Sequence, residues 1–252
     1  MIVIEVKICG LTGLEDALLA ARAGADYLGF ILAESPRQLS PERLIELTAS
    51  LRKKLSSHDC PDLVAVFLDQ PLALINRIAG ECQLDYIQLH GQESPEFCRQ
   101  VSLPVFKSIS VKDRKSFDRI SDYEEHGRPT AASTSAGKGS QAFRKQKSRI
   151  TQNNITLNNN IAGYLLDTYY PDKGGGGGES FNWQLLNDRN LQELSRRKKI
   201  FLAGGISPAN VQAASRQPNI TGLDVSSGLE KTPGRKDPKK IKKFFNVLKK
   251  SQ

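Results

Sequence analysis

A thiol at Cys9, a guanidinium at Arg37, an imidazole at His90 and carboxyls at Asp167 and Asp224 each close or follow a short apolar run. A thiol and a carboxyl held over the same molecule form the outline of a general base and a general acid. Cys9, followed by Gly10, is the candidate base, and Asp167, after Tyr164-Leu165-Leu166, is the candidate acid. Taken singly, a lone cysteine is more often an inert small hydrophobe, and a lone acid after a strand is as readily a plain loop residue. Arg37, in Ser35-Pro36-Arg37, offers a planar fork suited to a carboxylate, whereas His90 reads as a rim or core residue without the central proton transfer.

Glycines add a second kind of chemistry. Without a Cβ, their backbone N–H groups approach a phosphate closely and the chain can turn at positive φ. Three clusters qualify: the run 174–178, Gly204-Gly205, and Ser226-Ser227-Gly228. The last two follow adjacent apolar runs near the end of the chain, where many barrel enzymes bind a phosphoryl group.

The elements that must position these groups are eight short apolar runs, at 6–9, 27–32, 63–68, 86–89, 105–109, 163–166, 200–202 and 222–225. None alternates strictly, as expected for parallel strands buried on both faces. Helical patterns lie between them, at 14–23, 41–55, 72–79, 95–101, 116–125, 185–197 and 208–215, the last opened by Ser207 as cap and Pro208 as first residue. This alternation predicts an α/β fold, a (β/α)8 barrel whose active site gathers at the C-terminal ends of the strands. The residues at those ends also include Asp69 and Lys107. A doubly wound sheet would share the alternation, but a Gly-x-Gly-x-x-Gly after the first strand is absent.

The chain has 252 residues, the usual size of one such barrel domain, so residues 1–252 are expected to form it. A low-complexity stretch at about 126–160, rich in Ser, Thr, Asn, Gln and basic residues, is expected to be a disordered insertion between strands five and six. The net charge of +9 is concentrated late: residues 231–250 carry nine bases and one acid, Asp237. Phe244, Phe245, Val247 and Leu248 break that run at near-helical spacing, which reads as a closing amphipathic helix with a solvated lysine face rather than a nucleic-acid surface. Cys9, Cys60, Cys82 and Cys98 have neither CxxC spacing nor the density of a disulfide scaffold. With no membrane-length apolar stretch and no export signal in the opening residues, a soluble cytoplasmic protein is expected, with no metal and no obligate protein partner.

The motifs together resemble the phosphoribosylanthranilate isomerase family. They include Lys7-Ile8-Cys9-Gly10-Leu11-Thr12, Ser35-Pro36-Arg37, Gln88-Leu89-His90-Gly91, Leu165-Leu166-Asp167, Phe181-Asn182-Trp183, Leu202-Ala203-Gly204-Gly205 and Asp224-Val225-Ser226-Ser227-Gly228-Leu229-Glu230, in the family's order. The resemblance implies an Amadori rearrangement of a phosphosugar in tryptophan biosynthesis, without cofactor. Cys9 would be the base, Asp167 the acid and Arg37 the substrate-carboxylate ligand. Asp224 and His90 would position the substrate, and Gly176, Gly177, Gly178, Gly204, Gly205, Ser227 and Gly228 would grip phosphate. One departure stands out: Gly177 replaces the threonine of the family's Gly-Gly-Thr-Gly. Other phosphosugar barrels would use the same phosphate turns, but an epimerase would want metal-binding histidines at strand ends and only His90 is so placed. A polyanion-binding scaffold acting through the insertion and tail is the remaining alternative.

Overall fold

The computed structural model describes residues 3–56, 58–125, 160–168 and 180–251, so the expected insertion and the run 174–178 lie outside the described residues. Eight parallel strands close into a barrel: β1 (Glu5–Ile8), β2 (Tyr27–Ile31), β3 (Asp62–Phe67), β4 (Tyr86–Leu89), β5 (Val105–Val111), β6 (Ile161–Thr168), β7 (Lys199–Leu202) and β8 (Gly222–Val225). Closure comes from β1 pairing along β8, with Lys7 opposite Asp224 and Ile8 opposite Val225. The apolar runs are thus the barrel staves, and β6 extends past its apolar run to include Asp167 and Thr168.

Helices α1 (Leu14–Ala23), α2 (Pro41–Lys54), α3 (Leu72–Glu81), α4 (Pro95–Gln100), α5 (Asp118–Glu125), α6 (Arg189–Ser195), α7 (Val211–Ser215) and α8 (Pro238–Lys249) alternate with the strands. Serine caps and N-terminal prolines set two starts: Ser40 accepts from the Arg43 N–H and Ser94 from the Phe97 N–H. Two late helices are shorter than their patterns. The helix expected from Pro208 begins at Val211. Asn210 bends the chain there, accepting from the Ser207 N–H and donating to the Gly205 carbonyl. The pattern over 185–197 divides at Asp188, whose carboxylate caps α6 by accepting from Asn190 and Leu191 and leaves a 3-10 turn, Trp183–Leu186, before it. In α8, Ile241, Phe244, Phe245 and Leu248 are buried and the lysines face outward, as the spacing predicts. A short hairpin of β9 (Glu230–Thr232) and β10 (Arg235–Lys236), without a counterpart in the sequence reading, precedes it.

Inside the barrel, residues two apart point inward together. The lower half is filled by Tyr27, Val64, Tyr86, Phe106, Leu165 and Phe201. Tyr86 stacks on Phe106 at 4.8 Å, and Tyr27 meets Phe106 and Phe201 edge-on at 5.7 and 5.4 Å. This aromatic plug is the floor of everything above it. Among the described residues, no helix is long and apolar enough to cross a membrane.

Candidate active site

Above the plug opens a cavity of about 900 Å³, including its solvent-open part, within the range of small-molecule sites. Its lining falls into sectors around the rim. Ile31, Val66 and the 38 % exposed Leu68 make an apolar wall on the β2–β3 side. Cys9, His90, Asp167 and Asp224 supply the reactive groups, and Gly204, Gly205 and Ser227 form the β7–β8 side. Cys9 and Asp167 therefore share one hollow, as the base and acid pairing requires.

Cys9 ends β1, and the inward residue below it is Lys7, which has no exposed surface. Lys7 Nζ donates to Asp224 Oδ1 at 2.8 Å and lies beside the Cys9 sulfur, both facing Gly29 of β2. Burial pushes the Cys9 thiol up, Lys7 pulls it down and Asp224 pushes it up again, with a net rise. Burial also works against the charge on Lys7, but Asp224 and Cys9 more than offset it, so the ammonium is held above its ordinary range. The β1–β2 contact is close here because β2 carries Gly29. A Cβ at that position would come within 2.8 Å of Cys9 Sγ and 3.1 Å of Lys7 Nζ.

Across the cavity, Asp167 lies on β6 with its Oδ2 3.6 Å from His90 Nε2. Burial raises the Asp167 carboxyl above the ordinary carboxylate range, against the pull of His90, and burial lowers the His90 imidazole. Burial thus favours the protonated form of Asp167 and the neutral form of His90. Gln88, one inward position below His90, offers its amide nitrogen to His90 Nδ1 at 3.2 Å and to Ser108 Oγ at 3.3 Å.

Arg37 reaches the cavity from the loop after β2, with its guanidinium already engaged. Nε and Nη2 donate to the two oxygens of Glu230 at 2.8 and 2.7 Å. Lys236 backs the pair, donating to Glu230 Oε1 at 3.0 Å, Ser226 O at 3.1 Å and Cys9 O at 2.6 Å. The β9–β10 hairpin thus ties the ends of β1 and β8 to the arginine. Burial raises and the two cations lower the Glu230 carboxyl, and the cations prevail.

The turn after β7 has the left-handed backbone that a glycine turn allows. Gly204 and Gly205 adopt φ of +85° and +63°, left-handed backbone that favours glycine. Among the described residues, nothing accepts from their N–H groups. Gly228 is not a lining residue; it lies where the β8 turn abuts the Ile206 carbonyl, too close for a Cβ. Gly176, Gly177 and Gly178 lie outside the described residues. Two strand-end residues do not join the site. Asp69 accepts from the Gln92 N–H at 2.6 Å, and Lys107 is buried against Glu93 at 2.9 Å and the Leu89 and Gly91 carbonyls. The sequence reading missed Lys7, Gln88, Glu230 and Lys236 as parts of the site. For Lys7 and Gln88 the signal was available: each stands two residues inward of a strand-end group, on the same face. Among the described residues, no three His, Cys, Asp or Glu side chains are grouped to hold a metal ion.

The family model described as N-(5'phosphoribosyl)anthranilate (PRA) isomerase matches residues 6–141 and 126–247. The N-(5'-phosphoribosyl)anthranilate isomerase of Pelobacter propionicus is 35% identical over 250 residues, 99% of this chain and 97% of its own. That of Geotalea uraniireducens is 37% identical over 246 residues, 97% and 98% of the two chains. Among solved structures, phosphoribosyl anthranilate isomerase from Thermotoga maritima superposes with a TM-score of 0.73 at 30% identity, covering 98% of this chain and 99% of that one. A phosphoribosyl anthranilate isomerase in complex with reduced 1-(o-carboxyphenylamino)-1-deoxyribulose 5-phosphate gives 0.70 at 29% identity, with the same coverage. A closed eight-stranded barrel with this mouth, matched along nearly its whole length, places the chain in the N-(5'-phosphoribosyl)anthranilate isomerase family.

Proposed function

We propose that the protein isomerises N-(5-phosphoribosyl)anthranilate to 1-(2-carboxyphenylamino)-1-deoxyribulose 5-phosphate in tryptophan biosynthesis. The order of sectors around the cavity carries the reading. An apolar wall beside Arg37 suits an aromatic carboxylate, glycine N–H groups across the rim suit a phosphate, and the thiol and carboxyl stand where the sugar between them would lie. Arg37 meets the anthranilate carboxylate with donor capacity left beyond the Glu230 pair, since among the described residues its Nη1 has no partner. Gly204, Gly205 and Ser227 hold the phosphate, with 176–178 completing that grip. Anchoring both ends fixes the reacting carbons for proton transfer.

Protonated Asp167 gives its proton to the furanose ring oxygen as the C1′–O bond breaks, and the amine lone pair forms an iminium. The Cys9 thiolate then takes the C2′ proton, and the C–H electron pair flows to the iminium nitrogen to give an enolamine. Loss of the enol proton and protonation at C1′ yield the ketone, so C2′ is oxidised and C1′ reduced within one molecule. His90 and Asp224 position the sugar, with His90 Nε2 standing 3.6 Å from the Asp167 carboxyl. Fluorescence of freshly generated phosphoribosylanthranilate reports turnover by the purified protein. Cys9→Ser and Asp167→Asn should each lower kcat by roughly a hundredfold or more while still binding the reduced product analogue. Full turnover in both variants removes the two assigned roles.

A further inference from the structure

We propose that Lys7 is the positioning residue of the general base: its ammonium, wedged between the Cys9 sulfur and Asp224 inside the barrel, stabilises the thiolate that takes the substrate proton. The inference rests on the reading of Cys9 as base. A lysine with no exposed surface in the interior of a barrel is costly unless its charge is matched and its N–H groups are used. Asp224 uses one at 2.8 Å, and the Cys9 sulfur lies next to the ammonium over Gly29. Gly29 makes the arrangement possible, because a side chain there would collide with the sulfur and the ammonium together. Such a gap on the neighbouring strand is expected where two groups must remain in contact beneath a ligand.

The charged groups around Cys9 differ in how far they are committed elsewhere. Arg37, from the loop after β2, is doubly bonded to Glu230. Lys236, on β10, is shared among Glu230 and two carbonyls, one of them that of Cys9. Among the described residues, Asp224, on β8, is the anion bonded to Lys7. Lys7 is thus the buried cation that shares the space over Gly29 with the sulfur, and the contact becomes charge-assisted when the thiol loses its proton.

Alkylation of Cys9 by iodoacetamide as a function of pH, read peptide by peptide by mass spectrometry, reports the thiolate without requiring turnover. Lys7→Met should move the alkylation midpoint up by about one to three pH units, and Asp224→Asn should move it down, because they remove charges of opposite sign. Lys7→Arg should recover part of the loss. At neutral pH, kcat/KM of Lys7→Met should fall about tenfold or more along with the thiolate fraction. An unmoved midpoint in folded Lys7→Met, or midpoints moving the same way in Lys7→Met and Asp224→Asn, overturns the proposal. Where a thermal melt shows that Lys7→Met does not fold, the nearly isosteric Asp224→Asn decides alone, and an unmoved or raised midpoint overturns it. A shifted midpoint with unchanged kcat/KM in Lys7→Met supports the contact with the sulfur and counts against Cys9 as base.

Discussion

The proposed roles need a proton on Asp167 and none on Cys9, yet both groups titrate above their ordinary ranges because both are buried. Where the thiol titrates above the carboxyl, the commoner arrangement between the two midpoints is the reverse, ionised Asp167 and protonated Cys9. The profile of kcat/KM against pH should still be a bell, rising as the first proton leaves and falling as the second does. Its height scales with the minority form, so anything that brings the two midpoints together raises the rate. In Asp167→Asn the residual activity should rise through the titration of Cys9 and show no alkaline fall. A parent profile that lacks either limb would contradict the pair. These two groups were legible because each stands at the end of an apolar run. Lys7 and Gln88 were hidden inside such runs, where a polar residue looks like an interruption until the inward face is traced residue by residue.

At the scale of elements, the hairpin after β8 links chemistry to architecture. Glu230 holds Arg37 through both oxygens and is itself held by Lys236. Glu230→Gln keeps the shape but removes the charge-assisted fork, so Arg37 should lose its fixed direction. KM for phosphoribosylanthranilate is then expected to rise about tenfold, the worth of one charge-assisted hydrogen bond, with kcat nearly constant. Steady-state kinetics separates that outcome from a loss of kcat, which would place Glu230 in the chemical step. Strands of three and two residues carry too little pattern to be read in advance, and the short turn Thr232-Pro233-Gly234-Arg235 looks like an ordinary loop. The late starts of α6 and α7 escaped for a related reason. Asp188 and Asn210 bond to their own local backbone, and this competition with the helix leaves the apolar spacing unchanged.

Across the whole molecule the two ends of the barrel divide the work. Cys9, His90 and Asp167 stand at the C-terminal mouth, while Glu5, Asp62 and Lys199 belong to strand starts at the other end. Burial, with Asp85 and Glu5 nearby and Lys199 opposing, pushes the Asp62 carboxyl up to about 6. A carboxyl raised in the folded state binds more protons there than in the unfolded chain, so stability is highest below the unfolded value and declines as pH rises to about 6. Asp62→Asn should therefore be more stable than the parent at pH 7 by about 1 kcal/mol, allowing for partial solvent screening, and the difference should vanish near pH 4. Urea titrations at the two pH values measure it, and turnover should be unaffected at this distance from the mouth. The strand and helix alternation made this architecture legible, since the eight apolar runs became the eight staves.

The packed rings of Tyr27, Tyr86, Phe106 and Phe201 leave the reaction chamber a cul-de-sac. Whatever enters by the rim must back out by the same doorway, past the very loops that seized it. Arrival and departure are consequently mutually exclusive, and the ketone, bearing the phosphate and carboxylate of its precursor, bars the next molecule until it has gone.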